Sequence, residues 1–211
     1  MLAESDKKDL GCHTGTISDA FLELYKAGKL TNARKELDTG RSAWNLAMGS
    51  QALYDWLDAE PDIFHPGDLD YIHSVEHISR LSNVISINGG VQLDLMGQEN
   101  AESAGTRQLS GIGGQMDFLE GAYRSKGGKG FICINASRVT KDGERKSNIV
   151  AAIPSGSTIS APRTMIQYVA TEYGIAELSG KSLRERAEAM AAIAHPDFRE
   201  ELLKYARENF N

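Results

Sequence analysis

The sequence predicts an α/β fold in which a mixed or mostly parallel sheet is flanked by helices. Short runs of β-branched and aromatic residues alternate with amphipathic segments of helical period along the chain. A glycine-rich run also leads directly into one of the helical segments. The composition agrees, because 41% apolar and 25% charged residues with only 5 prolines exclude disordered, collagen-like and coiled-coil proteins.

The first part of the chain predicts two helices and a strand. Ser18 can cap a helix that ends near Ala27, where Gly28 supplies the left-handed residue that often follows a helix. Residues 43–48 have the composition of a strand, and Ser50 opens a second helix directly after it. A strand followed by a helix is the alternation that an α/β fold requires.

The middle of the chain predicts two strands and a further helix. Residues 84–87 and 91–95 are β-rich, and the Asn88-Gly89-Gly90 run between them predicts a hairpin or a sharp bend. The Gly111-Ile112-Gly113-Gly114 run then opens a helix whose apolar residues fall on one face.

The last part of the chain predicts buried strands followed by two helices. Ser182 and Glu185 form a capping box for the first helix, and Pro196 suits the first position of the second. The strands are predicted over residues 131–135, 148–153 and 164–170.

Length, charge and cysteine content bound the class of protein. With 211 residues, the chain is predicted to form a single domain over 1–211. A net charge of −6 without a dense Lys/Arg block predicts neither nucleic acid nor a membrane as a partner. No apolar stretch approaches the ~20 residues that cross a bilayer, and the start is too polar for a secretory signal, so we expect a cytoplasmic protein. Cys12 and Cys133 are too few for a disulfide framework or a zinc set, which predicts a reducing compartment and no metal.

The Gly111-Ile112-Gly113-Gly114-Gln115 run, called the glycine loop from here on, is the most informative local feature. Glycines ahead of a helix let backbone N–H groups approach a ligand closely, and the positive end of the helix dipole adds to them. The loop can hold a phosphate or an oxyanion, or it can be only a tight strand-to-helix turn. It has neither the Lys-Ser/Thr ending of a P-loop nor the G-x-G-x-x-G fingerprint, which argues against nucleotide hydrolysis and dinucleotide redox chemistry.

Histidines and serines give weaker hypotheses. His73 and His77 are four residues apart and can share a helical face as metal ligands, but two solvated or capping histidines are the favoured interpretation. His195 precedes Pro196 at a helix start, which predicts a structural role. Ser110 lacks the G-x-S-x-G elbow, so a serine hydrolase is disfavoured.

Carboxylates and lysines remain as candidates. Glu99 and Glu102 lie between a strand and the glycine loop, and Glu172 follows an apolar strand. Each is either catalytic or an ordinary surface, paired or capping carboxylate. Lys126 and Lys129 flank a Gly-Gly turn, where they either meet a ligand phosphate or are exposed turn lysines.

A set of segments in a fixed order carries a resemblance that extends from about residue 10 to the C-terminus. The segments are Gly11-Cys12-His13-Thr14, Leu30-Thr31-Asn32, Gly97-Gln98, the glycine loop with Met116-Asp117-Phe118, Lys126-Gly127-Gly128-Lys129, Thr171-Glu172-Tyr173-Gly174 and Ala194-His195-Pro196-Asp197-Phe198-Arg199. Together they resemble the C-terminal half of the acetyl-CoA hydrolase/transferase family, which includes 4-hydroxybutyrate and butyryl-CoA:acetate CoA-transferases. The resemblance implies a layered, CoA-transferase-like domain.

The resemblance also implies a reaction through a glutamate carboxylate. That carboxylate attacks an acyl-CoA thioester, CoA then forms a glutamyl-CoA thioester, and a small carboxylic acid collects the CoA, with water replacing the acid in hydrolases. CoA and acyl-CoA are substrates in this scheme, and no permanently bound cofactor is expected. Gly113 and Gly114 would stabilise the thioester oxygen through their N–H groups. The residues implied in CoA binding are Asn88, Gly111, Ile112, Gln115, Lys126 and Lys129.

Two departures from the family pattern stand out. Members are about twice this long and build the active site between two α/β halves, so we expect the N-terminal half to be absent. The pattern Gly, aliphatic, His, Thr or Ser, Glu is replaced by residues 11–15, and Gly15 occupies the position of the nucleophile. Glycine has no side chain and can form neither covalent intermediate. Cys12 adds a thiol beside this position, either as a nucleophile or as a small buried residue.

Three interpretations follow from these observations. The first is a CoA-transferase or acyl-CoA hydrolase domain whose catalysis is impaired or moved to another residue. The second is a non-catalytic CoA or acyl-CoA binding module, or a partner chain of a split enzyme. The third is an unrelated α/β phosphate-binding domain. Under the first two interpretations we expect a homo-oligomer or a complex with a chain that supplies the N-terminal half.

Overall fold

The computed structural model describes residues 2–210, which divide into two compact units. The first unit contains the described residues up to Val84 together with Arg124–Gly128. The second contains Ile85–Tyr123 and the described residues from Lys129 onward. The assignment of residues 1–211 to one family domain stays a prediction.

The first unit is built on a three-stranded parallel sheet in the order β1-β2-β3. The register places His13 beside Ala43 and Ala43 beside His65, so these three residues project from the same face of the sheet. The elements are β1 His13–Ile17, α1 Asp19–Lys26, β2 Ser42–Ala47, α2 Gln51–Ala59, β3 Phe64–Pro66, α3 Leu69–Ile72 and α4 Val75–Arg80.

The early helices begin and end where the sequence predicts. Ser18 is the N-cap of α1, and Gly28 after its end has a left-handed φ of 65°. Ser50 is the N-cap of α2. The apolar faces of both helices pack with the strands into one core, whose buried members are Cys12, Ile17, Leu22, Leu30, Leu53, Trp56 and Phe64.

The second unit contains a four-stranded sheet in the order β14-β13-β9-β4. Strands β4, β9 and β13 are parallel to one another, and β14 is an antiparallel edge strand. A three-stranded sheet, β12-β5-β6, and two short hairpins complete the unit. The strands are β4 Ile85–Gly89, β5 Gln92–Asp94, β6 Glu99–Asn100, β7 Ser103–Ala104, β8 Arg107–Gln108, β9 Lys129–Cys133, β10 Ser137–Val139, β11 Arg145–Ser147, β12 Ile149–Val150, β13 Tyr168–Thr171 and β14 Gly174–Glu177.

Asn88 and Gly89 are the last residues of β4, the chain bends only after them, at residues 90–91, and the hairpin alternative is wrong. Strand β4 pairs with β9, whereas β5 pairs with β6 and β12 in a different sheet. Strand β12 is also shorter than the predicted 148–153, because its partner β5 ends at Asp94. The predicted strand over 164–170 starts late, at Tyr168, since the preceding residues form a turn.

Three helices cover the sheets of the second unit: α5 Gln115–Arg124, α6 Leu183–Ala192 and α7 Pro196–Asn209. The predicted capping box is present, with Ser182 and Glu185 bonded reciprocally, and Pro196 is the first residue of α7. Arg186 on α6 is buried and donates to the backbone carbonyls of Met96, Arg163 and Leu178, each at 2.7 Å. The predicted α/β class, with mixed and mostly parallel sheets flanked by helices, is confirmed.

Two surface properties of the chain complete the description. Apolar side chains of the edge strands of the four-stranded sheet are exposed, with Ile87 on β4 at 69% and Ile175 on β14 at 63%. Within residues 2–210, no helix has the length and apolar character that crossing a membrane requires.

Candidate functional site

Gly15 lies in the middle of β1, in the first unit. It is partly buried, and its backbone is outside the left-handed region that favours glycine. Residues two apart on a strand project from the same face, so position 15 shares its face with His13 and, through the register, with Ala43 and His65. A side chain larger than hydrogen is therefore compatible with the backbone here.

Buried polar side chains hold the start of β1. The Asn32 amide oxygen accepts the N–H of Cys12 at 2.8 Å, and its amide nitrogen donates to Ser42 Oγ at 3.0 Å. The Lys35 ammonium donates to the carbonyls of Cys12 and Arg41 at 2.8 and 2.6 Å. Asn32 itself has a left-handed φ of 55°, which asparagine tolerates better than most residues. These bonds fix the strand just before position 15.

The two titratable residues next to the Gly15 position are both neutral. Burial lowers the pKa of His13 to about 4, although the hydrogen bond of its Nε2 with the Ile72 carbonyl at 2.8 Å favours the charged form. Burial raises the pKa of the Cys12 thiol to about 12, against the opposing charge of Lys35. A buried, protonated thiol is a poor nucleophile, so the structure favours the interpretation of Cys12 as a core residue.

A carboxylate, an imidazole and a phenol meet on the same side of the first unit. His65 Nδ1 donates to Asp38 Oδ1 at 2.6 Å, and the Tyr71 hydroxyl donates to Asp38 Oδ2 at 3.0 Å. Burial raises the pKa of Asp38, but the two hydrogen bonds outweigh it and the net shift is downward. The Tyr71 ring lies 4.8 Å from the His65 ring and 6.4 Å from the His13 ring. Sequence analysis missed this network.

The glycine loop lies in the second unit and opens α5. Gly113 has a left-handed φ of 59°, and both Gly111 and Gly113 are exposed with no heavy atom within 4 Å of where a Cβ would lie. The N–H groups of Gly113 and Gly114 make no hydrogen bond within residues 2–210, while the Gly114 carbonyl accepts the N–H of Phe118 at 3.1 Å. The loop therefore presents free donors at the positive end of a helix.

Glu99 lies against the end of this loop. Its side chain is fully buried on β6, and its Oε2 accepts a hydrogen bond from the side-chain amide of Gln115, the first residue of α5. Burial raises the pKa of Glu99 to about 8, although the bond from Gln115 acts in the opposite direction. Of the three candidate carboxylates, only Glu99 combines contact with the glycine loop and a raised pKa.

The other residues implied in CoA binding belong to different elements of the chain. Asn88 is on β4 and bonds to Ser86 Oγ at 2.8 Å. Lys129 begins β9, with its amine 5.8 Å from the centre of the Tyr168 ring. Lys126 is exposed and belongs to the first unit. Ile112 is partly buried within the glycine loop. Only Gly111, Ile112, Gly113, Gly114 and Gln115 form one contiguous group.

The remaining candidates have structural partners. Glu102 accepts from Ser160 Oγ at 2.7 Å, and Glu172 accepts the N–H of Ala136 at 2.8 Å. His195 caps α7 as predicted, with its Nδ1 accepting the N–H of Asp197 at 3.3 Å. In the described part of the chain, no three His, Cys, Asp or Glu side chains are arranged to hold a metal ion.

A surface cavity of about 490 Å³ lies between α7 and strands β11 and β12. Its lining mixes apolar residues such as Phe198 and Leu202 with charges of both signs, including Lys204 and Glu208. It contains none of the site residues predicted from the sequence.

Comparison with known protein families gives one match that covers most of the chain. Residues 49–206 match the family described as the acetyl-CoA hydrolase/transferase C-terminal domain. The chain is 45% identical over 206 residues to a butyryl-CoA:acetate CoA-transferase of Anaerostipes caccae, covering 98% of this chain and 46% of the relative. It is 41% identical over 210 residues to a 4-hydroxybutyrate coenzyme A transferase of Clostridium kluyveri, covering 100% of this chain and 48% of the relative.

Comparison with solved structures agrees. The crystal structure of RipA from Yersinia pestis superimposes with a TM-score of 0.86 at 39% identity, covering 96% of this chain and 45% of the solved one. The chain therefore spans about half the length of the relatives that it matches.

Proposed function

The chain belongs to the acetyl-CoA hydrolase/transferase family, and from this we propose that it binds the CoA thioester of an acyl-CoA at the glycine loop. The relatives are named CoA-transferases and acetyl-CoA hydrolases, so CoA transfer to a carboxylic acid, or hydrolysis, is the reaction class that we propose for the complete site. The observation that carries the proposal is the pair of free N–H donors at Gly113 and Gly114.

Thioester chemistry explains why such donors matter. Negative charge develops on the thioester oxygen when a nucleophile attacks, and each preorganised N–H donor is worth ~3 kcal/mol to that transition state. The exposed glycines allow close approach, because no side chain stands between the backbone and a ligand. The donors on residues 113 and 114 also point from the start of α5, whose dipole favours negative charge.

Position 15 defines the catalytic part of the proposal. We propose that Gly15 occupies the place of the glutamate that forms the glutamyl-CoA thioester in the family, so this chain lacks that nucleophile. Buried polar side chains hold the chain just before it, since Asn32 accepts the N–H of Cys12 and Lys35 donates to the Cys12 carbonyl. Transfer through position 15 is therefore expected to be absent or very slow, while binding of CoA persists.

A matched pair of glycine variants tests the binding site. Gly113 and Gly143 both have left-handed φ, 59° and 81°, and a Cβ at either would meet no atom within 4 Å. Alanine at either position therefore carries a similar backbone strain, of order 1–2 kcal/mol. We expect Gly113→Ala to weaken CoA binding at least tenfold by calorimetry, and Gly143→Ala, in the β10–β11 turn, to leave it unchanged.

The outcomes separate ligand binding from local strain. Similar melting temperatures in the two variants with loss of CoA binding only in Gly113→Ala support the proposal. Equal CoA binding by both folded variants would leave the glycine loop as a structural turn and would reject the proposed site.

A non-catalytic binding module, or one chain of a split enzyme, is the second candidate function. The glycine at position 15 favours it, because a chain without the nucleophile can still bind acyl-CoA and complete another polypeptide. We propose that the chain associates with a second copy or with a family N-terminal half, since the named relatives are about twice as long. Sedimentation of the chain alone, and mixed with the N-terminal half of the Anaerostipes caccae relative, tests this. A monomer in both samples over a wide concentration range would reject the association.

A further inference from the structure

The carboxyl group of Glu99 is the most unusual buried group in the second unit. The whole side chain is inaccessible to solvent. Its Oε2 is bonded by the Gln115 side chain, but its Oε1 has no hydrogen-bond partner in the described part of the chain. Buried carboxylates normally have several donors or a cation beside them, so this group is poorly suited to carry a charge.

The surroundings of the carboxyl are apolar. A Cβ added at Gly90 would lie 2.6 Å from Glu99 Oε1, 3.0 Å from Ile134 and 3.2 Å from Ile132, so the oxygen lies beside Gly90 on the side where both isoleucines pack. The backbone of Glu99 pairs with Leu93 on one side and with Ala161 on the other. No cation among the described residues lies where it could compensate a negative charge on this carboxyl.

The acidic groups on the same elements have partners of their own. Asp94 on β5 accepts the N–H groups of Met96 and Gln98 at 3.0 and 2.9 Å, and Glu102 is bonded by Ser160. Neither these carboxylates nor Asp117 on α5 contributes to the pKa of Glu99, which burial alone raises to about 8. The carboxyl is thus mostly protonated, and so neutral, at pH 7.

Gln115 connects this group to the glycine loop. It is the last residue of the loop and the first of α5, and its side chain is buried against Glu99. Ionisation of Glu99 would strengthen its one hydrogen bond, from Gln115, but that single donor does not offset a charge buried here, and we expect the carboxyl to shift toward water. Such a shift breaks its packing with Gln115, and displacement of the loop donors by about 1 Å is enough to weaken a preorganised site.

We propose that Glu99 is a positioning residue for the glycine loop: as a neutral acid it holds Gln115 and the start of α5 in place, and its ionisation releases them and weakens CoA binding. This inference rests on the proposed function of the loop. It assigns Glu99 a role through Gln115, with no contact to the substrate.

The test compares the pH dependence of CoA binding in two variants. We expect the wild-type chain to bind CoA at least tenfold more weakly at pH 9 than at pH 7, measured by calorimetry. Glu99→Gln keeps the size of the side chain and cannot ionise, so its affinity should be independent of this transition. Glu102→Gln removes a neighbouring carboxylate outside the enclosure and should keep the wild-type profile. Ionisation of CoA itself is common to all three proteins and cancels in the comparison.

A second measurement separates this inference from the proposed function. Amide hydrogen exchange of residues 111–116 in the free protein reports the order of the loop without any ligand. At each pH, the exchange rates of the wild-type loop are compared with those of Glu99→Gln. We expect the wild-type rates to be higher, by a factor that grows from pH 7 to pH 9. If no protein binds CoA at any pH but this difference in exchange is seen, the proposed function fails and the role of Glu99 stands.

Parallel pH profiles of binding and of exchange in wild type and Glu99→Gln would overturn the role of Glu99. If Glu99→Gln does not fold, the wild-type chain alone gives the answer, after its exchange rates are corrected for intrinsic exchange. Constant protection of the loop amides from pH 7 to pH 9 would overturn the role of Glu99, and loss of protection over that range would support it.

Discussion

Restoring a carboxylate at position 15 is the most direct test of the assigned nucleophile position. Gly15 is a strand residue with ordinary backbone geometry, so Gly15→Glu should fold with a change of at most about 1 kcal/mol in the free energy of unfolding. The new side chain would project from the face that carries His13 and His65. Covalent catalysis depends strongly on its nucleophile, and we expect CoA transfer at least ~100-fold faster than in the unaltered chain. That ratio corresponds to about 2.7 kcal/mol of activation free energy, at 1.36 kcal/mol for each tenfold change.

The assay uses the chain mixed with the N-terminal half of the Anaerostipes caccae relative. CoA transfer from butyryl-CoA to acetate is followed by chromatography of the two thioesters, and the covalent adduct by mass spectrometry. Gly15→Glu should gain the mass of a glutamyl-CoA thioester, and hydroxylamine should remove it. Gly15→Gln is the matched control, because it has nearly the same size and no nucleophilic carboxylate.

Two results would refute the reasoning in different ways. Turnover by the unaltered chain at the rate of Gly15→Glu would show that the nucleophile lies elsewhere, and Glu102 would be the next residue to substitute. Failure of both forms to react, while both bind CoA, would favour the binding module, since restoring the carboxylate would then be insufficient.

Three further outcomes follow from buried groups. Arg186→Met leaves three backbone carbonyls without their side-chain donor and should lower the free energy of unfolding, measured in urea, by about 3–5 kcal/mol. A decrease below ~1 kcal/mol would contradict a stabilising role for these three hydrogen bonds. In the native chain Ellman's reagent should modify Cys133, which is exposed, and leave Cys12, whose pKa is raised to about 12 by burial; two reactive native thiols contradict this. Because the folded chain holds the Glu99 proton up to a pKa of about 8, against 4.5 when unfolded, stability should fall as pH rises between these values, by up to about 5 kcal/mol relative to Glu99→Gln. If the free energy of unfolding of wild type and Glu99→Gln changed with pH in parallel, this expectation would be contradicted.

Local signals predicted the elements well where the determining contacts are close in sequence. The capping box of Ser182 and Glu185, proline at the start of α7 and the glycine loop before α5 each act within one helical turn, and the structure has all three. The local sequence at residues 88–90 could not decide between a hairpin and a bend, because whether two neighbouring strands pair depends on partners far along the chain. Strand β4 finds β9 about forty residues later, which no turn signal encodes.

The candidate site also has parts that the local sequence indicated and parts that it did not. The glycine loop was visible as a local pattern, and position 15 was indicated only by the resemblance to the family, whose pattern there spans five consecutive residues. The burial of Glu99 depends on the approach of Gly90, Ile132 and Gln115 from three other places in the sequence, so its altered acidity was not predictable. The same holds for Asp38 and His65, whose contact brings a loop residue to β3. From their residue types alone, both side chains are expected to be exposed to solvent.

The buried polar side chains beside β1 bear on the choice between a weak enzyme and a binding module. Asn32 and Lys35 are buried polar side chains, and holding them in place costs desolvation that their bonds to the Cys12 backbone must offset. A strand with no remaining role could be held equally well by apolar packing, which carries no such penalty. These buried polar supports therefore argue that the placement of β1 matters, for the fold or for a ligand, although position 15 has no side chain. Replacing Lys35 by Met distinguishes these two: a loss of stability alone assigns the support to folding, and a loss of CoA binding beyond the loss of stability assigns it to the ligand.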